Sequence, residues 1–310
     1  MQQSETEKLE QIIHLSKTKS FSLPDASFYK KADKNHLWAP ESITPWFYLP
    51  TYKKMSKPLQ RRYNQLYALG INEIFTLFES DFVFQILSRL KEKNKLSDKQ
   101  KIALHYFCQE EVKHSEMFKQ LNLSVEPEKY KNETYILINK RSKWGKKFLQ
   151  MITHWPHFFL MWVWMAIFFE ERTVMYAKEY LKDPETQLSP VFKEIHKLHM
   201  IEETRHVQMD EILINLFYKK SNFFIKKIAA VMFKKIIADF SAPRKMSYSI
   251  AEILKQEFTD TISIAQIEDI LNELPLLKNN SDFQNKMFGE QAAPRTRALT
   301  LQYPELAGIL

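Results

Sequence analysis

The sequence predicts an all-α protein built around an antiparallel bundle of four long helices. Three observations carry this prediction. Only 4 of the 310 residues are Gly, against an average usage of about 7 %. That is too few for the turns of a sheet or barrel, and it leaves no glycine-rich phosphate cradle. The apolar residues recur in long helical patterns. Polar connections, several containing Lys or Pro, join these patterns, as in a bundle of antiparallel neighbours.

Residues 1–55 read as an arm. Ser4 and Glu7 have the spacing of a capping box and predict one short helix. Pro24, Pro40, Pro45 and Pro50 then interrupt any period, and Trp38, Trp46, Phe47 and Tyr48 are expected to pack the arm on the body. From Ser56 the pattern changes. Pro58 suits a first helical turn, and a first long helix runs to about Asn94. Ser97 and Gln100 form a second capping box, opening a helix to about Leu121. After a polar, Lys-rich connection, a third helix covers about 157–182 and stops before Pro184. A fourth runs over about 185–218. Residues 56–220 thus form the bundle, and 221–310 a helical extension. In that extension, residues 223–238 alternate apolar pairs with Lys226, Lys227, Lys234 and Lys235, either a solvated face or a membrane-surface helix. Ser249 with Glu252 and Ser263 with Gln266 predict two further helix starts.

Composition narrows the function. The chain has 45 % apolar and 26 % charged residues, an ordinary globular balance. A single Cys excludes an intramolecular disulfide framework and a thiolate zinc cluster. The net charge is +8, but no recognised motif or compact basic stripe accompanies it, so nucleic acid is not an expected partner. The longest apolar run, Phe158 to Phe169, spans 12 residues, short of the ~20 that cross a bilayer. The N-terminal MQQSETEKLE has no apolar signal core, and the cytoplasm is the expected location.

The chemistry lies in a duplicated Glu-x-x-His: Glu111-Val-Lys-His114 on the second helix and Glu203-Thr-Arg-His206 on the fourth. This spacing puts an oxygen and a nitrogen donor on one helix face, about one turn apart. Roughly one such match is expected by chance in a chain of this size; two, each on a long helix, are not. The first helix offers Glu79 at matching depth. The third offers Glu170 or Glu171 at the end of the apolar run, where burying a charge is costly unless it is paired or binds a metal. One Glu from each of two helices, with Glu-x-x-His from each of the others, is the donor set of a ferritin-like dinuclear carboxylate bundle. Carboxylate and imidazole without thiolate favour iron or manganese by ligand type, while the spacing alone leaves zinc open. His199, four residues before Glu203, adds a third donor to the same face and would make one metal richer in nitrogen.

The segments Cys108-Gln-Glu-Glu-Val-Lys-His-Ser-Glu-Met-Phe118 and His199-Met-Ile-Glu-Glu-Thr-Arg-His-Val207 resemble the di-iron p-aminobenzoate N-oxygenases (AurF-like), as does the run from Lys57 to Glu79. The resemblance covers about residues 45–215. It implies seven metal ligands, Glu79, Glu111, His114, Glu171, His199, Glu203 and His206; Glu171 is preferred to Glu170 by its separation from Glu111. Such proteins usually carry Asp-Glu-x-x-His, where the Asp accepts from a ligand imidazole. Here Glu110 and Glu202 take that place, and the longer arm either reaches a different imidazole or points to solvent. The resemblance further implies two Fe ions, with Mn the alternative, O2 as co-substrate, and an external reductase or electron carrier. A peroxo di-iron species would then oxidise the nitrogen of a small amine. Nothing in the spacing itself separates an amine from a fatty acyl or aldehyde substrate, or an oxygenase from a non-catalytic ferritin-like metal binder. Arg295 and Arg297 are candidates to pair with a substrate carboxylate. A homodimer and a peripheral membrane contact are both compatible with the sequence.

Overall fold

A computed structural model describes residues 4–93, 96–138, 143–182, 187–240, 244–258 and 264–309. The chain is all-α. Among the described residues the only extended pairing is one isolated bridge, between Leu37 and Leu188.

Four long rods form the bundle. The first is α2 (Lys57–Phe78), continued through a π-helical turn (Glu79–Val83) into α3 (Phe84–Lys93). The others are α4 (Asp98–Val125), α6 (Met161–Lys182) and α7 (Pro190–Leu213), the last extended by a second π turn over Ile214–Tyr218. Local signals set several ends. The Ser97–Gln100 capping box opens α4, and Pro190 supplies the first turn of α7. The second rod runs four residues past the expected Leu121, and the third begins at Met161 rather than near 157. Phe158, counted in the apolar run, lies before that helix and is 65 % exposed.

The arm is more regular than its prolines suggest. The Ser4–Glu7 capping box starts α1 (Glu5–Thr18), which lies across α4 and α7. Trp38 and Trp46 are fully buried, and Phe47 and Tyr48 are half-buried against the same core. Asn64 accepts from the backbone N–H of Trp38 and Ala39 at 2.8 and 3.1 Å, and Trp46 stacks on Tyr63 at 4.2 Å. The connection expected to be merely polar contains a helix, α5 (Lys143–His154).

The C-terminal residues wrap the bundle. α8 (Phe223–Phe240) packs on α6, and α9 (Arg244–Glu257) on α2. Ser249 does not start a helix as expected. It lies inside α9, with its hydroxyl donating to the Lys245 carbonyl at 3.4 Å. Ser263 falls outside the described residues; α10 (Ile264–Glu273) follows it. α11 (Ser281–Phe288) and α12 (Pro294–Thr300) close over α6.

The apolar core falls into two clusters. On α4, Met117, Phe118, Leu121 and Val125 belong to one, and Ala103, Leu104, Phe107 and Cys108 to the other. The same division recurs on α2, α6 and α7. Between the clusters lies a buried layer of carboxylates and imidazoles.

Candidate metal centre

Seven side chains meet in that layer. α4 supplies Glu111 and His114, and α7 supplies His199, Glu203 and His206. The π turn after α2 supplies Glu79, and α6 supplies Glu170. None is more than 2 % exposed. His199 Nε2 lies 3.1 Å from Glu79 Oε1 and 2.7 Å from Glu203 Oε1. His114 Nδ1 is 2.9 Å from Glu203 Oε1. His206 Nδ1 is 2.9 Å from Glu111 Oε1, 3.4 Å from Glu203 Oε2 and 3.9 Å from Glu170 Oε2. The donors fall into two overlapping groups, Glu79–His114–His199–Glu203 and Glu111–His114–Glu203–His206, each with its ligand atoms within 4.8 Å of one another. Glu203 belongs to both and turns one oxygen towards each.

Several observations fit this layer to a pair of divalent cations. Both oxygens of Glu79, Glu111 and Glu203, the inward Nδ1 of His114 and His206, and Nε2 of His199 approach one another closely, yet none of them makes a hydrogen bond of good geometry among the described residues. Buried polar atoms left in that state are costly and rare. Four inward carboxylates, Glu79, Glu111, Glu170 and Glu203, carry four negative charges, which two divalent ions neutralise. Without such ions, burial pushes the Glu79 carboxyl well up, and repulsion from Glu111 and Glu203 adds to the effect. Glu111 is raised as well, burial again leading. Burial also holds His199 well below the ordinary imidazole range, with His114 and His196 adding in the same direction. It is therefore a neutral ring and a competent donor.

The imidazoles are oriented crosswise. Glu202 on α7 meets His114 Nε2 of α4 at 2.8 Å, and Glu110 on α4 meets His206 Nε2 of α7 at 2.9 Å. Of the two alternatives left open by the sequence, the longer Glu arm therefore reaches across to the opposite helix rather than to solvent. A proton on each Nε2 directs the Nδ1 lone pair inward, the usual role of a carboxylate behind a ligand imidazole. The outer acids are themselves neutralised. Arg205 Nη2 donates to Glu110 at 2.7 Å. Lys113 Nζ, Ser20 Oγ and the Phe21 N–H donate to Glu202 at 2.6, 2.7 and 3.1 Å. Burial alone would raise Glu202, but its bond to His114 and the charge there hold it well below the usual carboxylate range.

Glu171, preferred from the sequence, is not in the layer. Its carboxylate accepts from the backbone N–H of Arg295 and Thr296 at 2.8 and 2.6 Å and from Thr296 Oγ1 at 2.7 Å. It thereby caps the first turn of α12, whose own N-cap residue, Ala293, has no side chain able to do so. Glu170, one position earlier, faces His206 instead. Arg295 pairs with Glu211 at 2.9 Å, and Arg297 donates to the Phe288 carbonyl at 3.2 Å, so both arginines are engaged within the chain.

Several residues near the layer carry no sequence motif. Ser20, Lys113 and Arg205 act through Glu110 and Glu202, and Phe21 acts both through its N–H to Glu202 and by stacking its ring on His114 at 5.9 Å. Asp210 continues the inward stripe of α7 one turn beyond His206. It is 1 % exposed, and neither oxygen has a hydrogen-bond partner among the described residues. Its four-residue spacing from His206 is the signal that could have found it. His196 is buried and stacks on Tyr180 at 4.1 Å, outside the donor set. Cys108 is buried, and burial pushes its thiol up to about 11, as suits a packing residue.

A helical bundle that converges a duplicated Glu-x-x-His and two further carboxylates on one buried layer is a ferritin-like fold with a candidate dinuclear metal centre. The chain belongs to the p-aminobenzoate N-oxygenase AurF family, whose family model matches residues 2–257. The match is wider than the 45–215 resemblance read from the motifs; it takes in the arm and ends at the last residue of α9. No curated protein matches the chain.

Proposed function

We propose that this protein is a di-iron oxygenase that oxidises the nitrogen of an arylamine. The observation that carries this reading is the pair of abutting donor groups sharing Glu203, set in an AurF-family bundle. Two iron ions bound there would supply O2 activation, with electrons delivered by an external carrier. Glu79, Glu111, Glu170 and Glu203, with His114, His199 and His206, are the residues that would hold them.

The remaining chemistry belongs to the chain. Glu110 and Glu202 fix the His206 and His114 rings and keep the Nε2 protons on the outer side. The two apolar clusters exclude water from the layer on either side, which strengthens every electrostatic interaction inside it. Phe107 stacks on the His206 ring at 4.0 Å, and Phe75 and Phe118 lie 5.7 and 4.9 Å from the His199 ring. These contacts resist rotation of the ligand imidazoles.

Anaerobic loading with Fe(II), metal analysis, and exposure to O2, a chemical reductant and a panel of arylamines test the proposal. The expected result is two irons per chain and hydroxylamine, nitroso or nitro products by mass spectrometry. Two bound irons with no oxidised amine would instead assign a non-catalytic metal binder. An oxidised aldehyde or fatty acyl compound in their place would move the substrate class.

A further inference from the structure

The metal centre leaves one end of the bundle unexplained. Two long stretches of the chain, residues 134–169 and 212–238, contain no Asp or Glu. The second carries six lysines. The fold brings these stretches together where α6 begins and the π extension of α7 ends. The Phe217 ring lies 5.8 Å from His157 and 6.1 Å from Trp162, and Ser221 Oγ donates to the Phe217 carbonyl at 2.8 Å. Four aromatic side chains stand out at this end: Trp155 is 53 % exposed, Phe158 65 %, Phe223 71 % and Phe224 72 %.

α8 continues the feature away from the tip. Its inner face, Ala229, Ala230, Phe233 and Ile237, is buried against the bundle. Its outer face carries Phe224, Ile228 and Val231, with Val231 64 % exposed. A helix that is apolar on both faces is normally covered on both. Contiguous exposed apolar surface of this kind marks an interaction site. Exposed Lys219, Lys220, Lys227, Lys234 and Lys235 lie among these residues. A two-fold contact between copies would set these lysines against one another, and like charges oppose such a contact. An anionic bilayer supplies the opposite charge, and its headgroup region accepts Trp and Phe side chains. No described helix is long and apolar enough to cross a membrane, so the contact would lie on the surface.

We propose that this end of the bundle docks on an anionic lipid surface. Trp155, Phe158, Phe223 and Phe224 enter the headgroup layer, and Lys219, Lys220 and Lys227 meet lipid phosphates. The inference stands independently of the reaction at the metal centre.

Sedimentation of the full chain with vesicles tests it, using phosphatidylcholine mixed with phosphatidylglycerol against phosphatidylcholine alone. The chain is expected to bind the anionic vesicles and to be released from them by high salt. Phe223→Ser with Phe224→Ser, and separately Lys219→Glu with Lys220→Glu, are each expected to weaken binding by more than about tenfold. All four residues are exposed, so far-UV circular dichroism and metal content should stay unchanged in both variants. Absence of binding to the anionic vesicles overturns the proposal, as does equal binding to neutral ones. A dimer of the unaltered chain that the phenylalanine variant converts to monomer also overturns it and assigns the patch to a second copy. Tighter binding to duplex DNA than to the anionic vesicles at the same salt concentration, unchanged by Phe223→Ser with Phe224→Ser, would overturn it in favour of a nucleic-acid surface.

Discussion

Glu170, Glu171 and Arg172 are consecutive, yet each serves a different neighbour. Glu170 faces His206, Glu171 caps α12, and Arg172 donates to the Met287 carbonyl and lies 5.2 Å from the Phe288 ring. Alanine at the two glutamates should therefore have opposite signatures. Glu170→Ala is expected to lower the metal stoichiometry while leaving the melting temperature of the metal-depleted protein unchanged or higher, because a buried charge is removed. Glu171→Ala should retain both metals and lose about 1–3 kcal/mol of stability, since the buried Thr296 N–H and the part-buried Arg295 N–H lose their acceptor. Metal analysis and denaturant unfolding of both variants check this. The sequence could not choose between these neighbours, because one residue is about 100° of helix and the phase of α6 is set by what α7 and α12 present to it. Glu111, His114, Glu203 and His206 were legible because a three-residue spacing repeated on two helices constrains phase by itself. Ser20 and Lys113 were not, since they act on Glu202 from an arm and a helix far from it in the chain.

At the scale of elements, local signals performed well where a cap decided the outcome and poorly where packing did. The Ser4–Glu7 and Ser97–Gln100 boxes open helices as their spacing requires. Ser249 has the same spacing to Glu252 but sits in mid-helix, because the preceding residues already pack on α2. The π turn carrying Glu79 left no trace in the apolar period, although π turns are frequent at functional sites. α8 read as a string of apolar pairs and lysines; its inner face proves to be part of the bundle, with Phe233 lying 6.1 and 6.4 Å from the Phe168 and Trp164 rings. Phe233→Ala should accordingly cost about 3–5 kcal/mol. Val231→Ser, two residues away on the outer face, should change stability by no more than about 0.5 kcal/mol. Urea unfolding of the two variants measures both.

Across the whole molecule, a layer of acids and imidazoles separates two apolar clusters, so stability and metal content are linked through pH. In metal-depleted protein, burial raises the Glu79 and Asp210 carboxyls well above the usual range. Such acids hold their protons more tightly folded than unfolded, so rising pH favours unfolding. His114 and His206 work in the same direction: burial lowers them, but their carboxylate partners outweigh it, and their favourable charge is lost as pH rises. His196, lowered to about 3 by burial, and His199 act in the opposite sense. Their effect is confined to pH below about 6.5, where an unfolded imidazole takes up its proton. Metal-depleted protein should therefore lose thermal stability as pH climbs above about 6.5, and metal-loaded protein should not, because bound cations stabilise the ionised carboxylates. Calorimetry of both forms across this range tests the linkage; a metal-depleted protein that becomes more stable with rising pH would contradict it. The hold of Ser20 and Phe21 on Glu202 has its own consequence. The His114 imidazole is steadied from outside the bundle by the peptide that leads away from α1, through Glu202 and through the Phe21 ring stacked on it at 5.9 Å, so that peptide works as a latch, and prising it off slackens His114 on both counts.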